Sequence, residues 1–306
     1  MKNKKTKITL AGLFLILVSA VPAFLSLEDG ADDSLKNSVI WRISGKDLPG
    51  PSYLFGTVHV ADTNEIPIHK TVIEQLLRSE ILVFESDISD PEYPQKALKH
   101  ALMENGSLDK ILPTEKYTEL KRFFREEFSF PLEAVNQMKP FHLASLIGAL
   151  SMGDKQVSHE EELLNMARKK SIRTTGISTL EKESEILSRI SLADQVEYLF
   201  DEIESYRSDR SETLRKEILQ AYREADIEQI YSLVSVSLKD HPKVFEQLFH
   251  VRNASWIPQM ISLMGAQSCF FAVGVGHLPG DQGIIRLLRD EGYKVVPVHK
   301  DFRFHD

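Results

Sequence analysis

A single cysteine in 306 residues, Cys269, excludes an internal disulfide and any cysteine-cluster metal site. It stands inside an apolar run, where a small buried hydrophobe is its expected role. Neither a repeat of fixed period nor a low-complexity tract is present. The Gly-x-Ser-x-Gly elbow, the phosphate-binding glycine loop and the His-Glu-x-x-His helix are also missing, which argues against serine hydrolases, nucleotide enzymes and ordinary zincins. Basic excess is lacking too. The net charge is −8, and leaving out the four lysines of the first 27 residues takes it to −12. So acidic a body repels phosphate backbones, and no nucleic-acid partner is expected.

Acids are absent from residues 1–27, where a basic MKNKKTK stretch precedes the apolar run Ile8–Leu27. Small residues at Ala20 and Ala23, beside Pro22, offer cleavage positions, so the segment reads as a signal peptide or an N-terminal anchor. The run is about long enough to span a bilayer, which leaves membrane association through it open. Either way the lysines stay inside and the body is exported, to the periplasm or the extracellular side. No cysteine follows to carry a lipid. Residues 28–38 read as a solvated linker, and 39–306 as one domain, 42% hydrophobicity over the chain being enough for a large core.

Period-two alternation over Val39–Ser44 and an aromatic run over Ser52–His59, joined through Gly45–Pro51, predict a hairpin. A helix is expected over Pro67–Ser79, then a buried central strand at Ile81–Phe84 that ends in Glu85-Ser86-Asp87. Roughly residues 90–265 read as a helical insertion. Its helices are expected over Gln95–Met103, Thr114–Glu127, Phe141–Ser151, Glu160–Lys170, Ala193–Glu204, Glu212–Glu224 and Ile227–Val236. One strand, Arg173–Ser178, interrupts the series, and Lys182, Glu183, Glu185 and Arg189 read as solvated helix faces. A helix over Phe249–Gly265, a strand over Cys269–Val273, a helix over Gln282–Glu291 and a strand over Lys294–Val298 close the chain. That last strand–helix–strand unit predicts parallel pairing with a right-handed crossover. The fold class is therefore α/β, a mixed central sheet built from both chain ends and covered by a large helical insertion.

Two Gly-x-x-His units, Gly56–His59 and Gly274–His277, lie 218 positions apart, each at the C-terminal end of a predicted strand. Ligands are held at that end of strands in open α/β sheets. His59, His277 and Glu85 together form a set suited to zinc, manganese, cobalt or iron, and an open position on such an ion would acidify a water. The plain alternative is a hairpin cap, a surface ion pair and a turn hydrogen bond. Arg252-Asn253 falls in the helix before the last strand, where the arginine could clamp a substrate carboxylate or orient Glu85, or form an ordinary surface pair. His69, His100, His142, His159, His241, His250, His299 and His305 share no spacing and read as surface or core.

The motifs Tyr53-Leu54-Phe55-Gly56-Thr57-Val58-His59, Phe84-Glu85-Ser86-Asp87, Lys139-Pro140-Phe141, Arg252-Asn253 and Val273-Gly274-Val275-Gly276-His277-Leu278 resemble those of the TraB/GumN family. That family includes bacterial pheromone-shutdown proteins and is similar to the animal Tiki proteases. The resemblance covers roughly Val39 to Val298. It implies a Tiki/TraB-like fold and a metal-dependent, peptidase-like site using manganese or cobalt, with His59, His277 and Glu85 in the ligand positions. The function it implies is an exported metal-dependent hydrolase acting on an extracytoplasmic peptide or protein, with Glu85, Arg252 and Asn253 as the catalytic candidates. Two departures stand out. Gly176-Ile177-Ser178-Thr179 replaces the frequent Gly-Leu-Glu-Thr, and the usual Gly-x-Asp is displaced to Gly153-Asp154 or to the neighbourhood of His159. A non-catalytic protein that sequesters a peptide, or a haem or metal carrier, is the alternative.

Overall fold

The computed structural model describes residues 38–58, 66–151 and 158–298. Six strands form one sheet: β1 (Ile40–Ser44), β2 (Ser52–Thr57), β3 (Ile81–Ser86), β4 (Arg173–Ser178), β5 (Cys269–Gly274) and β6 (Lys294–Pro297). Their order across the sheet is β4-β3-β5-β2-β1-β6. Every residue of β2 and β5 is buried, as central strands packed on both faces require. Phe270 and Phe271 alone contribute about 1.5–3 kcal/mol each through removal from water. β2, β5, β3 and β4 run parallel, and β1 is antiparallel to both of its neighbours. The chain ends thus supply five strands, and the helical middle adds β4 at one edge.

Register decides what emerges at the edge of the sheet. Phe84 and Gly56 lie opposite Ala272 and Val273 of β5, so Glu85, Thr57 and Gly274 leave the sheet side by side. Gly56 has a steric role here. A Cβ on it would stand 2.9 Å from Val275 Cγ2 and 3.0 Å from Val275 Cα, so only glycine lets the 3₁₀ turn Val275–His277 fold back over β2. The first Gly-x-x-His unit makes room for the second.

Thirteen helices cover the sheet among the described residues. They are α1 (Lys70–Leu76), α2 (Tyr93–Ala101), α3 (Leu108–Ile111), α4 (Thr114–Phe128), α5 (Pro140–Ser151), α6 (His159–Lys170), α7 (Leu180–Ser188), α8 (Leu192–Arg207), α9 (Arg210–Arg223), α10 (Ile227–Ser237), α11 (Pro242–Phe245), α12 (Arg252–Ala266) and α13 (Ile284–Asp290). α5 is buried along its first eight residues and packs on α8, which makes it the centre of the helical layer. The α6 N-terminus is fixed by Ser158, whose Oγ accepts from Glu161 N at 3.1 Å, with three glutamates in the first turn and three basic residues in the last. A π-helical turn, Glu246–Val251, joins α11 to α12 directly before Arg252.

The closing unit departs from the sequence expectation. β5 already has β3 and β2 on its two flanks, so α13 carries the chain past both β2 and β1. β6 then pairs antiparallel with β1, Val295 opposite Ile43, rather than parallel with β5. It runs in the same direction as β5, with two strands between them.

The α5–α8 layer also buries a carboxyl. Glu202 on α8 is fully enclosed, its Oε1 has no hydrogen-bond partner among the described residues, and burial, with Asp201 beside it, holds its pKa well above the usual carboxylate value. Its stabilising contribution is complete below the unfolded pKa, near 4.5, and is lost as the pH rises through the folded value. Glu202→Gln removes that loss, so it should raise the melting temperature more at pH 8 than at pH 4. An equal shift at both pH values would contradict the buried neutral carboxyl.

Candidate active site

Glu85 leaves β3 pointing at the Gly274–His277 turn. Its Oε1 accepts from Gly274 N at 2.7 Å, and its Oε2 accepts from Arg252 Nη2 at 2.7 Å. Arg252 is buried and reaches a second carboxylate through another edge of its guanidinium: Nε donates to Glu183 Oε2 at 2.5 Å. Trp256 Nε1 donates to the other Glu183 oxygen at 3.1 Å, and the Trp256 ring lies 4.7 Å from the Arg252 guanidinium carbon. Burial by itself would lower the Arg252 pKa, but the Glu183 and Glu85 carboxylates hold it above the ordinary arginine value. Arg252 is therefore a permanent cation between two anions. The pair Glu85 and Glu183 outweighs it by one formal negative charge.

Asn253 sets the state of His277. Its Nδ2 donates to the carbonyl oxygens of His277 (3.3 Å) and Gln282 (2.8 Å), which turns its Oδ1 to His277 Nδ1 at 2.7 Å. An amide oxygen only accepts, so Nδ1 carries the proton and Nε2 the lone pair. That Nε2 lies 3.8 Å from Glu85 Oε1 and 3.5 Å from Arg252 Nη1. Phe249 and Trp256 hold the ring between them, with centroids 5.0 and 4.7 Å away. Consecutive residues of one helix thus position Glu85 and orient His277.

An imidazole nitrogen and a carboxylate oxygen this close, in a site with excess negative charge, suit a divalent ion in donor chemistry and in sign. Among the described residues no group of three or more His, Cys, Asp or Glu is placed to share one. A full ligand set therefore needs a further residue, and His59, the third one expected, lies outside the described residues, as do Gly153 and Asp154. The chain just before His59 is tightly held. Thr57 Oγ1 donates to Glu160, Tyr222 Oη donates to Gly56 O at 2.7 Å, and Val58 N donates to His159 Nδ1 at 3.3 Å. His159 Nε2, in the tautomer this imposes, donates to Ile66 O at 3.0 Å.

A cleft of about 410 Å³ opens in front of the group, lined by Glu85, Tyr93, His142, Glu160, Glu183 and Arg252 among others. Burial, followed by the charge on Glu85, pushes the Tyr93 hydroxyl up to about 12, and burial lowers His142 to about 3, so both stay neutral across the physiological range. Ser178, at the frequent glutamate position, has a buried Oγ with no hydrogen-bond partner among the described residues.

One sequence reading needs correction and one open choice closes. Glu183 is not on a solvated face: it is 5% exposed, because α7 turns Glu183, Ile186 and Leu187 inward together. The three- and four-residue spacing to those two apolar residues was the available signal. Arg252-Asn253 is not a surface pair either, since both residues are buried. His159 lies in the core, stacked on Phe55 at 5.7 Å, and its tie to the β2 exit had no counterpart in local spacing.

Strand-end His and Glu side chains, bridged by a buried arginine, thus meet at the edge of a cleft. The chain belongs to the TraB/PrgY/gumN family, whose model matches residues 39–297. It is 24% identical over 314 residues to Metalloprotease TIKI2 of Danio rerio, an alignment covering 85% of this chain and 60% of that protein. To Metalloprotease TIKI1 of Homo sapiens it is 23% identical over 343 residues, covering 91% of this chain and 66% of that protein. The chain thus spans about 60% of the length of the first of these relatives. No solved structure matches it at a significant level.

Proposed function

We propose that this protein is a divalent-metal-dependent hydrolase that cleaves a peptide bond in an exported peptide or protein. The observation that carries the reading is the approach of His277 Nε2 to Glu85 Oε1, 3.8 Å apart, in a site carrying one carboxylate more than its arginine balances. The family relationship and the naming of its relatives as metalloproteases support it. His277, Glu85 and His59 would hold the ion, with manganese, cobalt or zinc as the candidates. A bound divalent ion supplies Lewis acidity, polarising a carbonyl and lowering the pKa of a water.

The residues of the chain supply the rest. Glu85, held by two donors, either completes the ligand set or takes a proton from an attacking water. Arg252 brings a fixed positive charge to within 3.5 Å of His277 Nε2, where an oxyanion developing beside that atom gains a charge-assisted hydrogen bond. Asn253 acts as a positioning residue, keeping the His277 lone pair on Nε2. The basic N-terminal stretch and the apolar run that follows it support a working body outside the cytoplasm. The intact mass of native protein checks this: a mature start near Phe24 supports export with cleavage, and a cytosolic pool overturns it.

The function is tested by incubating the whole body with a peptide library, with manganese or cobalt and again with chelator, and reading products by mass spectrometry. Cleavage that requires the ion is expected. Peptides that stay intact under every metal would overturn the reading and favour a sequestering protein.

A further inference from the structure

Behind the Glu85–Arg252–His277 group lies a second cavity, of about 80 Å³. Glu85 and Arg252 line both this cavity and the large cleft, so the two volumes meet at the candidate site. Away from those side chains the lining is mostly apolar, with Phe141 from α5, Ile218 from α9, Val234 from α10 and Phe249 from the π-helical turn, and it includes the hydroxyl-bearing Thr57, Ser145 and Tyr198. Apolar walls favour hydrocarbon over water.

The π turn shapes this wall. None of its residues is fully buried, and Leu248 and Phe249 remain partly exposed although they pack against the core. Turns of this kind inside helices recur at functional sites. Phe249 can close on the His277 turn because position 276 is glycine, where a Cβ would stand 3.0 Å from Phe249 Cε1. Apolar surface is thus left uncovered beside the residues expected to do chemistry. An acidic side chain entering here would meet the excess negative charge of Glu85 and Glu183, and among the described residues the walls beyond them carry no charged group to pair with a basic one.

We propose that this cavity is the specificity pocket of the site and takes one aliphatic side chain of the bound peptide, of valine or leucine size. The inference rests on the peptide-hydrolase reading only in so far as a peptide is what reaches the site. Size sets the class. An apolar protein cavity of ~150 Å³ takes up a benzene ring, and this one is about half as large, enough for a branched three- or four-carbon group and too small for an aromatic ring without rearrangement.

The test uses the whole body and fluorescently labelled glycine–serine octapeptides with one guest residue: glycine, valine, leucine, phenylalanine or lysine. Binding is read by anisotropy and cleavage, in parallel, by mass spectrometry. Valine and leucine guests should bind roughly tenfold or more tighter than glycine and lysine, the scale on which hydrophobic pockets discriminate. Val234→Ala enlarges the pocket and should move the preference from leucine toward phenylalanine. Ser145→Leu fills it from α5 and should bring the leucine guest down to the glycine level. The two variants push in opposite directions, so general damage to the fold cannot produce both shifts, and melting curves check each. Equal binding of all guests, or a ranking that neither variant moves, overturns the pocket. Cleavage without such a ranking would overturn the pocket while leaving the hydrolase standing. Selective binding without any cleavage would keep the pocket and overturn the hydrolase.

Discussion

Arg252→Met should lower the folding stability of the whole domain by about 3–5 kcal/mol, the loss seen when one partner of a buried ion pair is removed. The magnitude follows from what is left behind. Glu183 and Glu85 both accept hydrogen bonds from Arg252, at 2.5 and 2.7 Å, in an interior where neither carboxylate can recover full hydration. Trp256 also loses the cation beside its ring, at 4.7 Å. Lysine would be a poor substitute, because Arg252 uses Nε for one carboxylate and Nη2 for the other, a fork that a single ammonium cannot reproduce. The double variant Arg252→Met with Glu183→Gln should regain part of the loss, since one stranded charge has been removed. Urea unfolding of the three proteins measures this. A loss below about 1 kcal/mol, the range of surface pairs, would contradict a buried network.

Glu85→Gln should reduce metal-dependent peptide cleavage by about a hundredfold to ten-thousandfold, the usual cost of losing a positioned general base. The substitution keeps the shape but not the hydrogen bonding. Glu85 accepts on both oxygens, from Gly274 N and from Arg252 Nη2, whereas the amide nitrogen of glutamine can only donate. One of those two donors must then face another donor, so a modest fall in melting temperature is expected beside the larger fall in rate. Equal cleavage by wild type and Glu85→Gln, with both proteins folded, would mean that another residue removes the proton.

Local pattern revealed most of the scaffold. Continuous apolar runs at Ile81–Phe84 and Cys269–Val273 could only be strands buried on both faces, and they are the middle of the sheet. Arg173–Ser178 matches β4 at both ends. The second glycine–histidine turn could be found because the device appears in local sequence: a strand, a glycine, a histidine. What escaped was non-local. The partner of β6 depends on which flanks of β5 are already taken, and the run Lys294–Val298 holds no record of that. Glu183 looked solvated because the residue that neutralises it, Arg252, lies 69 positions later in the chain. Asn253 stood among the candidates, but what it does there escaped for the same reason. Its role appears only when two carbonyls, those of His277 and Gln282, fix which end of the amide meets the imidazole. His159 read as one of eight unremarkable histidines until the fold set it against Val58 N and Ile66 O.

The central claim is that His277 and Glu85 are two of the ligands of a metal site, and the ion content of the purified body tests it most directly. The purified protein, stripped with chelator, refilled with manganese, cobalt or zinc and desalted, should carry close to one ion per chain by elemental analysis, as expected of a mononuclear site. His277→Ala should bring the content to background while the melting curve shows the protein still folded. Wild type that holds none of the three ions, or a His277→Ala variant that retains as much as wild type, would contradict the account.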